Sequence, residues 1–141
     1  MLSSIGNNTM RQSFEPLRAT IEKYREHNCC TVVALACTMD WSFGKAHRHM
    51  AKHGRKPRRG MYLSNWLPAM EDAANKSGKT VKHMVCYTGM TIGRFARENP
   101  NGTFYVQVRG HALAVVNGQM QDWTAQTAGR RKIINCYKIE G

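Results

Sequence analysis

The sequence predicts an α+β domain: N-terminal helices, one of them an apolar cysteine-bearing helix, packed on a mostly antiparallel β-sheet. Three observations carry this. Apolar residues recur at helical spacing through the first half, they alternate through much of the second half, and Gly, Pro and Asn punctuate the segments between. Helices gathered ahead of a run of strands are the α+β pattern. The 141 residues suit a single domain with its own core. Residues 1–13 read as a flexible lead-in and 14–141 as the domain.

"FEPLRATIEKYRE", residues 14–26, carries Phe14, Leu17, Ile21 and Tyr24 on one helical stripe, with Pro16 in the first turn. "CCTVVALACTM" follows and ends near Asp40. Its β-branched Thr31, Val32 and Val33 suit a strand, but its length and alanines favour a buried helix. Ser42 suits an N-cap for a helix to His53, which Gly54 stops. Ser64 or Asn65 is the expected cap of the next helix, which runs through "WLPAMEDAANK" to Gly78. "TVKHMVCY" alternates like a strand, and Thr91 caps the short helix "IGRFARE". "TFYVQV", "HALAVV", "QMQDW" and "KIINCYKI" complete the strands.

Asn117-Gly118 is a strong signal for a two-residue hairpin turn. A type I′ turn there pairs Val116 with Gln119, Val115 with Met120 and Leu113 with Asp122. His111, Leu113 and Asp122 then share one face of the ribbon. His111 and Asp122 become diagonal neighbours, about 7–8 Å apart at Cα and closer at Cβ. One hydrogen bond spans that gap, so Asp122 can orient His111 and fix its tautomer, as in the base half of a catalytic triad. Gly110 leaves room for a substrate to approach the imidazole. The structural alternative is a plain His-Asp bond on a half-exposed sheet face. By this reading the ribbon face bearing His111 meets the helix that carries the nucleophile.

A thiolate is the reactive form of cysteine, and a helix N-terminus favours it. Cys29 and Cys30 both stand where the apolar helix should begin, and spacing alone does not separate them. Cys37, Cys86 and Cys136 read as core residues. The five cysteines include no C-x-x-C pair, which fits reduced thiols.

"CTVVALA" from Cys30, followed downstream by "GHALAVVNGQMQDW", resembles the papain-like cysteine peptidase superfamily, in particular its small members from bacteriophages and bacteria. "AHRHMAKHGRKPRRGMY" and "ARENPNGTFYVQVRGHALAVV" look similar to the same group, so the resemblance covers roughly residues 28–125. It implies a papain-like fold with the thiol on the central helix and the imidazole on the sheet. It also implies Cys30 as the nucleophile, since the family's cysteine directly precedes this Thr-Val-x-Ala-Leu-Ala pattern. The expected chemistry is amide hydrolysis through a Cys30–His111–Asp122 triad and a thioester; deamidation and transamidation share that core. One feature departs from the family: the segment "IEKYREHNC" leading to Cys30 has no glutamine to donate to an oxyanion. Asn28 is the substitute candidate, beside the backbone N–H of Cys30; it suits a plain helix cap equally well.

Twenty-one Lys and Arg against nine Asp and Glu give a net charge of +12. Lys52, Arg55, Lys56, Arg58 and Arg59 concentrate it in "KHGRKPRRG" and form a candidate patch for nucleic acid or an acidic protein. A basic binding module without catalysis is the competing functional class. The patch contains no aromatics interleaved for base stacking. His47, His49 and His53 share one helix, but no Glu intervenes and no paired cysteines complete a zinc shell, so neither metal nor cofactor is expected. His27 stands close to Cys30 as another base, on the same chain turn. Trp41, Trp66 and Trp123 read as core or groove-lining aromatics. No apolar run approaches the ~18 residues of a membrane span, and the N-terminus lacks a signal-peptide pattern. The expected setting is a bacterial or phage-infected cytosol.

Overall fold

The computed structural model describes residues 11–24, 26, 28–122 and 128–141. Five helices accompany a five-stranded antiparallel sheet among the described residues. The helices are α1 (Phe14–Lys23), α2 (Cys30–Met39), α3 (Phe43–Lys52), α4 (Leu63–Lys76) and α5 (Ile92–Glu98). The strands are β1 (Thr80–His83), β2 (Thr103–Val108), β3 (His111–Val116), β4 (Gln119–Gln121) and β5 (Ile133–Glu140), in spatial order β1-β5-β2-β3-β4.

Local chemistry explains most boundaries. The Ser42 hydroxyl accepts from Lys45 N at 3.2 Å and starts α3, and the Thr91 hydroxyl does the same for α5 from Arg94 N at 3.4 Å. Asp40 ends α2 in the left-handed region at φ 60°. Asn117 and Gly118 both take positive φ, 50° and 78°, as a type I′ turn requires. The pairs Val116–Gln119 and Val115–Met120 follow from that turn, in the expected register.

Several expectations shift. α4 begins at Leu63, with Tyr62 rather than Ser64 or Asn65 at its N-cap. The segment expected as one strand over residues 80–87 stops at His83 and continues as a 3₁₀ turn, Val85–Tyr87. Cys86 is therefore exposed rather than core. Arg11 and Gln12, counted in the lead-in, are bonded into the domain: Arg11 Nη2 donates to the carbonyl of Cys37 and Gln12 N to the Asp40 carboxylate. Ser13 is the N-cap position of α1, whereas residues 1–10 of the lead-in, His27, and Trp123 at the end of the expected "QMQDW" strand lie outside the described residues.

The sheet is covered on both faces. Tyr105, Ala112, Ala114 and Val116 join the buried cluster of α1–α4, around the almost wholly buried α2. Val106, Leu113, Val115 and Ile133 face the other way, onto Ile92 and Phe95 of α5. This corrects the expected face: α2 packs on Ala112 and Ala114, not on Leu113. His111 still reaches α2 because it is the first residue of β3. The registered β3–β4 pairs begin only at Ala114, so the ring stands at an open strand end.

Candidate active site

Cys30 is the first residue of α2, after Cys29 at the N-cap. The first intrahelical bond is Val33 N to Cys29 O at 2.9 Å, so the N–H groups of Cys30, Thr31 and Val32 have no partner within the helix. Thr31 N–H turns to the Cys30 sulfur, and Ala112 N–H from β3 donates to it as well. The imidazole of His111 completes the shell around the sulfur. Burial by itself pushes this thiol up. The hydrogen bond from His111, the Ala112 N–H, the His111 charge and the Thr31 N–H outweigh burial and hold Cys30 below a thiol's ordinary 9.0.

On its other side His111 Nε2 meets the Asp122 carboxylate, which leaves Nδ1 for the sulfur. Asp122 is buried. Burial disfavours the charged imidazole, but hydrogen bonds to Asp122 and Cys30, with their negative charges, lift His111 from 6.5 to about 9. Both shifts favour the thiolate–imidazolium form of the pair. Cys29 is different: burial is the largest influence and raises its thiol to about 11. Geometry thus separates two adjacent cysteines that spacing left equivalent. Cys37 and Cys136 are buried and pushed up to about 12.

Cys30 and His111 lie where two clefts meet. One, of about 540 Å³, is bordered by Ile21, Glu22, Glu26 and Asn28. The other, of about 320 Å³, is bordered by Met61, Tyr62, Leu63 and Trp66. Gly60 and Gly110 flank both. A Cβ added at either glycine meets nothing within 4 Å, so the space above the thiol is open. Gly110 also needs its φ of 70° at the β2–β3 turn.

Asn28 borders the first cleft but neither caps α2 nor holds a free amide: its Nδ2 donates to Arg58 O at 3.4 Å. Arg55 is likewise not part of an exposed patch. It is buried, and its Nη2 donates to Glu26 Oε1 at 2.8 Å while its Nε donates to Arg59 O at 2.8 Å. The desolvated guanidinium is tolerable because a carboxylate faces it. Lys52, Lys56, Arg58 and Arg59 remain exposed. Lys56 and Arg59 border a third cleft of about 450 Å³, which shares Gly60, Met61 and Tyr62 with the thiol cleft.

The histidines of α3 are engaged one by one rather than forming a solvated face. His47 Nε2 lies 2.8 Å from Glu26 Oε2, and His49, buried, 2.7 Å from Ala69 O. His53 Nε2 lies 3.2 Å from Asp72 Oδ2. Ligand atoms of His49, His53 and Asp72 fall within 4.8 Å of one another. Lys76 Nζ sits 3.2 Å from the same carboxylate. Asp72, Glu26, Gly60 and the Ala112 N–H were not singled out from sequence; each is brought in by packing between distant segments. No described helix is long and apolar enough to cross a membrane. The chain matches no protein-family model, no curated protein and no solved structure.

Proposed function

We propose that this chain is a papain-like cysteine hydrolase that cleaves a peptide or protein amide in a bacterial or phage-infected cytosol. The observation that carries the reading is a single chain of contacts, Cys30 thiol to His111 to Asp122, at the junction of two open clefts. Cys30 attacks the carbonyl as a thiolate. The backbone N–H of Cys30, free at the helix start, donates to the developing oxyanion. His111 passes its proton to the leaving amine, and a thioester forms. His111 then takes a proton from water, which releases the acid. Asp122 keeps the ring oriented and its positive charge stabilised throughout. An amine in place of water gives transamidation, and a side-chain amide as substrate gives deamidation.

Lys56 and Arg59, in the cleft that continues past Gly60, favour a substrate with acidic residues near the scissile bond. The same cations support the competing reading, a basic module that binds nucleic acid or an acidic protein without chemistry. Iodoacetamide labelling separates the two. Fast alkylation of Cys30 at neutral pH that slows in His111→Ala supports the hydrolase. Equal, slow alkylation of every thiol sinks it.

A further inference from the structure

Gln107 and Thr31 border the cleft of Met61, Leu63 and Trp66, and each carries a polar atom with no partner among the described residues. Asn135 Nδ2 donates to Gln107 Oε1 at 2.7 Å. In that arrangement Gln107 Nε2 has no acceptor among the described residues. The two residues meet at an irregularity in the sheet: Gln107 pairs with Asn135, but Val108 pairs with Ile133. One extra residue on β5 re-aims the side chains beside it, as bulges next to functional sites do. Thr31 is only 2% exposed, and its Oγ1 has no hydrogen-bond partner. A buried hydroxyl left unpaired costs roughly 1–3 kcal/mol.

The cleft they share with Cys30, His111 and Tyr62 is otherwise apolar, and no carboxylate, lysine or arginine borders it. Few polar groups set in apolar walls is the make-up of a ligand pocket. A charged side chain would find no counter-ion there beyond the Cys30–His111 pair, which the reaction itself occupies. A purely aliphatic one would leave Thr31 and Gln107 unpaired. A carboxamide answers both: its carbonyl accepts from Gln107 Nε2 and its amide donates to Thr31 Oγ1, with its methylene stem against Met61 and Leu63.

We propose that this cleft is a substrate subsite for a neutral carboxamide side chain, glutamine above all, near the bond that Cys30 attacks. The proposal rests on reading Cys30 as the nucleophile. The test uses acetyl-Xaa-vinyl sulfones and acetyl-Xaa-Gly-vinyl sulfones on the full chain, with Xaa glutamine, norleucine, glutamate or lysine, and follows Cys30 modification by mass spectrometry. The glutamine probe should react at least about tenfold faster than the norleucine and glutamate probes, since each of these strands a polar group or a charge. That ratio should fall towards one in Gln107→Leu and in Thr31→Val. Thr31→Val is isosteric and removes an unpaired hydroxyl, so its melting temperature should hold even where Gln107→Leu loses some stability. A norleucine probe that reacts as fast as glutamine, or a ratio unchanged in both variants, overturns the subsite. A wild-type Cys30 whose iodoacetamide rate ignores His111→Ala overturns instead the nucleophile reading, and the subsite's role in substrate binding with it.

Discussion

Asp122 and His111 stand eleven positions apart in sequence, on either side of the Asn117–Gly118 hairpin, and their side chains are hydrogen-bonded. The carboxylate is buried, so it does not merely sit beside the ring in solvent. Its removal leaves the ring without its orienting acceptor and without a main source of its raised basicity. Asp122→Asn should lower turnover by about 10²–10⁴-fold, by analogy with other triads. Retained helix and strand signals in circular dichroism separate this from unfolding.

The pH profile follows from the same two shifts. Cys30 is held below 9.0, so the thiolate is present below the range of an ordinary thiol. His111 keeps its proton up to about 9. Activity that needs the imidazolium as acid should therefore fall as pH rises through about 9, and Asp122→Ala should move that fall downwards, towards 6.5. In stability the sign is likewise fixed: a raised imidazole stabilises the fold fully below 6.5 and loses that contribution as pH climbs from 6.5 to about 9. Rate profiles and thermal melts over pH 5–10 check both.

How much of this was legible in the sequence depends on distance along the chain. The Asn-Gly turn fixes a local register, and that register brought His111 to Asp122. The start of α2 narrowed the nucleophile to Cys29 or Cys30, but the difference between them lies in what each sulfur meets. Cys30 meets β3, more than eighty residues away in sequence; Cys29 meets the core. Alternation along β3 correctly split its residues between two faces but not which face α2 would take, because both are buried and apolar. Arg55 reads as one more cation in a basic run, and only the fold reveals Glu26 opposite it. The bulge that joins Gln107 to Asn135 leaves no local mark in either strand.

Glu26 and Arg55 hold one wall of the first cleft beside Cys30. Their side chains are 2% and 1% exposed and 2.8 Å apart, and Glu26 Oε1 also accepts from Arg58 N at 3.1 Å. Two non-glycine residues in the left-handed region, Asn28 and Arg58, lie in the segments this pair ties together. Burial works against the carboxylate, but Arg55, His47 and the Arg58 N–H bring Glu26 down to about 2. Its contribution is present above 4.5 and is lost as pH falls from 4.5 to about 2. Arg55→Ala strands a buried carboxylate and should cost about 3–5 kcal/mol, or roughly 10–20 °C in melting temperature. Part of that deficit should disappear at pH 4, where Glu26 without Arg55 can take up a proton.

Gly60 offers a separation of fold from access. Its backbone φ is outside the left-handed region, and a Cβ there meets nothing within 4 Å, so Gly60→Val fits the native chain. Losing the glycine also narrows the unfolded ensemble, which favours folding by about 0.4–1 kcal/mol where the conformation is compatible. The new methyls would nonetheless stand in the mouth shared by both clefts, beside Cys30 and His111. Crowding of about 1–3 kcal/mol corresponds to roughly 5- to 150-fold in rate. Gly60→Val should therefore slow Cys30 modification by a peptidyl vinyl sulfone far more than by iodoacetamide, at an unchanged or slightly raised melting temperature. Equal slowing of both reagents would place the route to the thiol elsewhere than between Gly60 and Gly110.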